Sequence, residues 1–130
     1  MEVTIAKSAG FCFGVENAVA TAKKVLQEHK DSTQKLYMLG ELTHNEAVVK
    51  ELTDAGFEII HDASQALSGS LVLIRAHGVT PEQKRILNDK KCDVVDCTCP
   101  FVDKIHKIVA KASAEGKYVI VAGTKGHPEV

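Results

Sequence analysis

The sequence predicts an α/β fold, a mostly parallel sheet with helices on both faces. Three observations carry this. Short β-type apolar runs alternate along the chain with longer segments of helical period. The run Leu71–Arg75 is continuously apolar up to its last residue, as strands covered on both faces are. Directly after it, Thr80 can cap a helix, Pro81 suits the first helical position, and Gln83 completes the pattern of a capping box.

In chain order, Glu2–Ala6 reads as a first strand. Val15–His29 reads as a helix, with Val15, Ala18, Val19, Ala22 and Leu26 on one apolar stripe. Lys35–Leu39 is a second strand, and Asn45–Ala55 a helix ended by Gly56. Phe57–Ile60 and Leu71–Arg75 are the third and fourth strands, and Thr80–Lys90 is the next helix. Cys92–Val95 is a strand, Pro100–Ala114 a helix followed by Gly116, and Lys117–Val121 a last strand. A domain break is expected near Thr98–Pro100: residues 1–98 form a first α/β domain and residues 99–130 begin a second.

Bulk composition narrows the function classes. The chain has 130 residues, 45% hydrophobic and 25% charged, ordinary for one globular domain. A formal net charge of -1 gives no electrostatic footprint for nucleic acid or an anionic membrane. No stretch approaches the roughly 18 apolar residues of a membrane span, and the first residues do not resemble a secretion signal. The expectation is a cytoplasmic protein. Disulfides are rare there, so Cys12, Cys92, Cys97 and Cys99 are left to metal or cluster ligation, catalysis or burial.

Mapped onto the elements, the reactive residues gather. Cys12 follows the first strand, His44 the second, and His77 the run Leu71–Arg75. Cys97 and Cys99 follow Cys92–Val95, and His127 and Glu129 follow Lys117–Val121. In a parallel sheet the C-terminal strand ends share one edge, where open α/β sheets bind ligands. Gly10 and Gly14 bracket Cys12, and Cys99 immediately precedes the proline that opens a helix. Both cysteines thus stand at helix N-termini, whose positive end favours anions. Taken singly, each has a plainer reading as a small buried residue. Cys92 is expected in the core. His44 and His77 each lie between a strand end and a helix start, and His127 lies in the loop after the last strand. All three can donate to an anion or move protons; singly, each also reads as a hydrogen-bonded loop residue. His29, His61 and His106 read as solvated or structural, off the ligand edge. Glu129 suits a proton donor if buried, and an exposed residue otherwise. Neither Gly-x-x-x-x-Gly-Lys-Ser/Thr nor Gly-x-Gly-x-x-Gly occurs, so any phosphate falls to histidines, hydroxyls and helix ends.

Gly10-Phe11-Cys12-Phe13-Gly14-Val15, Thr43-His44-Asn45, Ala76-His77-Gly78-Val79, Thr98-Cys99-Pro100 and Gly126-His127-Pro128-Glu129-Val130 occur in that order. Together they resemble the 4-hydroxy-3-methylbut-2-enyl diphosphate reductase family, along the whole chain. The resemblance implies a [4Fe-4S] cluster held by three cysteines, with one iron open to the substrate hydroxyl. Cys12 and Cys99 match two of its ligands, and Cys97 matches none and reads as a neighbour of the site. His44, His77 and His127 match residues around an allylic diphosphate substrate, and Glu129 matches the acid that supplies protons. The implied reaction is a reductive dehydroxylation fed by ferredoxin, flavodoxin or a similar donor. Family chains are more than twice as long, with three similar α/β domains in a trefoil-like arrangement. The third cysteine and further substrate partners come later, so the sequence is expected to be an N-terminal piece, inactive alone. A thiol- or metal-binding α/β redox module and a non-catalytic anion-binding domain are the alternatives.

Overall fold

In the computed structural model, which describes residues 2–7 and 9–127, a four-stranded parallel sheet forms the centre. Its strands are β1 (Leu36–Leu39), β2 (Phe57–Ile60), β3 (Leu71–Ile74) and β4 (Asp93–Asp96), in the order β2-β1-β3-β4. Helices α1 (Phe13–Glu28), α2 (Glu46–Asp54), α3 (Pro81–Asp89) and α4 (Pro100–Ala114) alternate with them, and a 3₁₀ turn spans Ala63–Gln65. The α/β class and the four central strands agree with the sequence reading.

Alternation along β1 and β3 divides the core in two, because successive side chains leave a strand on opposite faces. Leu36, Met38, Leu71 and Leu73 pack with Ala18, Ala22 and Val25 of α1 and Leu52 of α2. Tyr37, Leu39, Val72 and Ile74 pack on the other face with Leu87 of α3 and Ala63. Both central strands are buried along their whole length, so helices cover both faces as expected.

Local chemistry fixes the helix ends. The Asn45 side chain accepts from Val48 N at the start of α2, and Thr80 accepts from Gln83 N at the start of α3. The expected capping box at Thr80 does not close. Gln83 instead reaches across to the 3₁₀ turn: its Oε1 accepts from Ala63 N at 2.6 Å and its Nε2 donates to Asp62 at 2.7 Å. Hydrogen bonds from Ser64 and Gln83 hold the Asp62 carboxyl down at about 2. Gln83 thus ties α3 to the chain between β2 and β3.

Two expected strands are absent. Glu2–Ala6 and Lys117–Val121 are not in the sheet. Val3 is 75% exposed and Ile120 93%. Both segments have strand-like composition, but a strand is stable only when a neighbour takes its backbone hydrogen bonds, and among the described residues neither has one. No residue of α4 is buried, and its Phe101, Ile105 and Ile108 are exposed.

Leu73→Ala, in the centre of β3, is expected to cost about 2–5 kcal/mol of stability, and Ile120→Ala no more than about 0.5 kcal/mol. Urea denaturation of the two variants checks this. Equal losses would contradict the placement of the core.

Candidate functional site

The sheet has a topological switch between β1 and β3. The chain leaves β1 through α2 to β2 on one side, and leaves β3 through α3 to β4 on the other. The loops after these two central strands therefore part, and a crevice opens at their C-terminal ends. The loop after β1 carries His44, and the loop after β3 carries His77.

Three imidazoles meet there. Ring centroids lie 5.1 Å apart for His44 and His77, 6.0 Å for His44 and His127, and 5.8 Å for His77 and His127. One ring nitrogen from each falls within 4.8 Å of the others. Residues far apart in the chain thus present donors to one small volume. His127 gets there without the expected strand before it. Glu129 lies outside the described residues.

The cysteine side is built from two helix starts. Cys12 is the N-cap of α1 and Cys99 the N-cap of α4; both have non-helical backbone angles, and neither side chain makes a capping hydrogen bond. Cys12 is exposed and Cys99 half-buried. Among the described residues no strand precedes Cys12, and α1, which it caps, positions it. The two segments converge at Gly14, where a Cβ would stand 2.9 Å from Cys99 Sγ. Any side chain at Gly14 would displace the thiol, which explains the second glycine of the bracket. Beyond Asp96 the chain stays in register with β3: Cys97 N donates to Ile74 O at 3.0 Å, and Cys99 N to Ala76 O at 2.8 Å. The second bond ties the Cys99 turn to the residue before His77.

Of the other two cysteines, Cys92 differs from expectation. Cys97 is the core cysteine, 4% exposed among the residues under α1. Burial pushes its thiol up to about 11, against a hydrogen bond from Thr21 and with Asp96 adding to the rise. Cys92 precedes β4 and is half-buried, packed against the α3-side core, with its Sγ 3.5 Å from Leu67 O. The pleat explains the exchange: Cys97 follows Val95 on the helix-covered α1 side, whereas Cys92 sits in the turn at an edge strand.

His106 is exposed, as read, but lies beside the His77 loop rather than away from it. Its Cε1 lies 3.0 Å from where a Gly78 Cβ would be, and Thr98 comes within 3.2 Å of the same point. Gly78 has φ +73, so it supplies both the left-handed turn and the space for His106 beside the His77 loop. His106 shares a cleft of about 920 Å³ with Arg75, His77, His61, Lys84 and Asp103. A helical histidine whose only signal is its position in α4 gave no hint of this. His29 is structural as read, its Nδ1 donating to Val25 O at 2.9 Å. Among the described residues no helix is long and apolar enough to cross a membrane.

A thiol that ionises near 11 is only about one-thousandth thiolate at pH 8. Iodoacetamide at pH 8 is therefore expected to modify exposed Cys12 well before Cys97, with Cys97 reacting on unfolding. Peptide mapping reads the order, and equal rates in the folded chain would contradict it.

The chain is 43% identical over its full length to 4-hydroxy-3-methylbut-2-enyl diphosphate reductase of Alkaliphilus oremlandii, covering 46% of that protein. It is 39% identical to the protein of the same name from Aquifex aeolicus, covering 44% of it. The chain thus spans about half the length of these relatives. The solved E-1-hydroxy-2-methyl-but-2-enyl-4-diphosphate reductase of Plasmodium falciparum superposes with a TM-score of 0.85 at 32% identity, over 95% of this chain and 38% of that one. The sequence profile described as LytB protein matches residues 3–130. With that match across almost all its length, the chain belongs to the LytB protein family.

Proposed function

We propose that this chain is the N-terminal part of a cytoplasmic iron–sulfur reductase that converts 4-hydroxy-3-methylbut-2-enyl diphosphate to isopentenyl and dimethylallyl diphosphates. The observation that carries this is the meeting of three imidazoles at the sheet's switch point, beside two cysteine-capped helix starts. The relatives that bear this enzyme's name support it.

The residues fit an iron–sulfur group. Thiolates are the usual ligands of such clusters. Cys99 Sγ lies against Gly14, two residues after Cys12, with no room there for a Cβ, and neither cysteine side chain is engaged as a cap. They would hold two corners of a [4Fe-4S] cluster, the third thiolate coming from later in the protein. Such a group, when bound, would supply electrons and an open Lewis-acidic iron for the substrate hydroxyl. Its electrons come in turn from a ferredoxin, flavodoxin or similar donor.

The chain's own residues bind and protonate. His44, His77 and His127 offer ring N–H groups to the diphosphate oxygens, a charge-assisted contact that fixes the anion at the crevice. Glu129 donates protons. In the overall change the allylic C–O bond breaks, the hydroxyl leaves as water, two electrons enter the allyl unit, and one proton adds at carbon. Residues 99–130, with α4 still unburied, begin a further α/β unit whose remainder excludes water from the site.

The full-length protein, anaerobically reconstituted and supplied with a chemical reductant, is expected to turn over 4-hydroxy-3-methylbut-2-enyl diphosphate, and the 130-residue chain is not. Cys12→Ser and Cys99→Ser are expected to lose the cluster, because serine oxygen is a poor substitute for a soft thiolate, while Cys92→Ser keeps it. Iron analysis decides, and equal loss in all three would refute the assignment. Glu129→Gln is expected to cut turnover by about 10²-fold or more with substrate still bound. Normal turnover in that variant would remove Glu129 as the proton source.

A further inference from the structure

Asp96 ends β4 on the sheet face opposite Cys97, and its carboxylate serves two segments at once. Oδ1 accepts from Thr98 N at 2.9 Å and also from the Thr98 hydroxyl. Oδ2 accepts from Lys84 Nζ of α3 at 2.7 Å. Thr98 is meanwhile wedged against Gly78, and Cys99 N is bonded to Ala76 O. The segment from Cys97 to Cys99 is therefore held on both sides, by the β3 backbone and by one carboxylate.

We propose that Asp96 is a positioning residue for Cys99, fixing through Thr98 the turn from which that thiolate reaches the iron–sulfur group. The inference rests on the reading of Cys99 as a cluster ligand. The Cys99 side chain makes no capping bond, and its backbone is bonded to Ala76 O, so the Asp96–Thr98 contacts hold the other side of its turn. Asp96 does this by closing an Asx turn over Thr98. Lys84 then keeps the carboxylate from rotating away. Partial burial works against the Asp96 charge, but hydrogen bonds from Lys84 and Thr98 outweigh it and hold the carboxyl below its ordinary value. An amide at this position still accepts from Thr98 N with its oxygen but turns an NH₂ toward Lys84, donor against donor. Groups that orient metal ligands commonly change metal affinity by about 10–100-fold when removed, and hydrogen bonding around a cluster also sets its potential.

The test uses the full-length protein with its cluster loaded. Iron release to a chelator and the cluster's reduction potential are measured for Asp96→Ala, Asp96→Asn, Thr98→Val and Cys99→Ser, at a temperature where all remain folded. Asp96→Ala is expected to release iron about 10–100-fold faster with a shifted potential. Asp96→Asn is expected to recover most of the loss, because it keeps the bond to Thr98 N. Thr98→Val keeps the shape and loses only the hydroxyl contact, and is expected to fall between wild type and Asp96→Ala. If Asp96→Ala does not fold, Thr98→Val decides alone, and wild-type release with an unchanged potential overturns the proposal. A Cys99→Ser variant that retains a wild-type cluster would instead show that the reading of Cys99 is wrong. Loss of the cluster in Cys99→Ser, with wild-type behaviour in both Asp96→Ala and Thr98→Val, would overturn the positioning role only.

Discussion

β1 and β3 pair in parallel at the centre of the sheet, and their register sets where the flanking loops begin. Leu36 stands opposite Leu71 and Leu39 opposite Ile74, so the two strands end level. Neighbouring strands lie about 4.8 Å apart, and the loops after them must begin at that spacing. Because one continues to β2 and the other to β4, they diverge and leave room between them. His44 and His77 are thus brought together by backbone hydrogen bonds and by apolar burial on both faces. The β3–β4 ladder extends the same logic. It runs on past the last residues of both strands until Cys99 N meets Ala76 O, so cysteine and histidine are positioned by one sheet.

Electrostatics and stability pull in different directions at the two helix starts. A Ser or Asp at an N-cap contributes about 1 kcal/mol by taking up a free backbone N–H. Cys12 and Cys99 occupy N-caps and make no such bond. At α2 and α3, away from the cysteines, Asn45 and Thr80 cap as local preference dictates. Departures from a local rule concentrate where function needs them. The positive end of a helix is a favourable place for a thiolate or a phosphate, and both cysteines stand at such ends.

Much of this was legible in the sequence. The apolar runs identified β1 and β3, and the stripe Ala18, Ala22 and Leu26 identified α1. Placing reactive residues after strands brought His44 and His77 to one edge. What escaped was whatever depends on partners distant in sequence. Glu2–Ala6 and Lys117–Val121 have the composition of strands, yet composition cannot supply a neighbouring backbone. Gln83 matches a capping box, but Asp62 and Ala63 compete for its amide and win. Cys92 and Cys97 have similar local surroundings, and only the strand boundary at Asp93 decides which thiol enters the core. His106 carries no local signal at all, because its place beside Gly78 is set by how α4 meets the loop after β3.

The β1–β3 switch point brings His44, His77 and His127 together, and the proposed function makes them one anion site. Histidine ring resonances of the selectively labelled protein, followed during titration with inorganic pyrophosphate, test it most directly. The His44, His77 and His127 signals are expected to shift together along one binding curve, while His29, held at the end of α1, stays in place. Separate curves for the three rings, or a His29 shift of equal size, would contradict it.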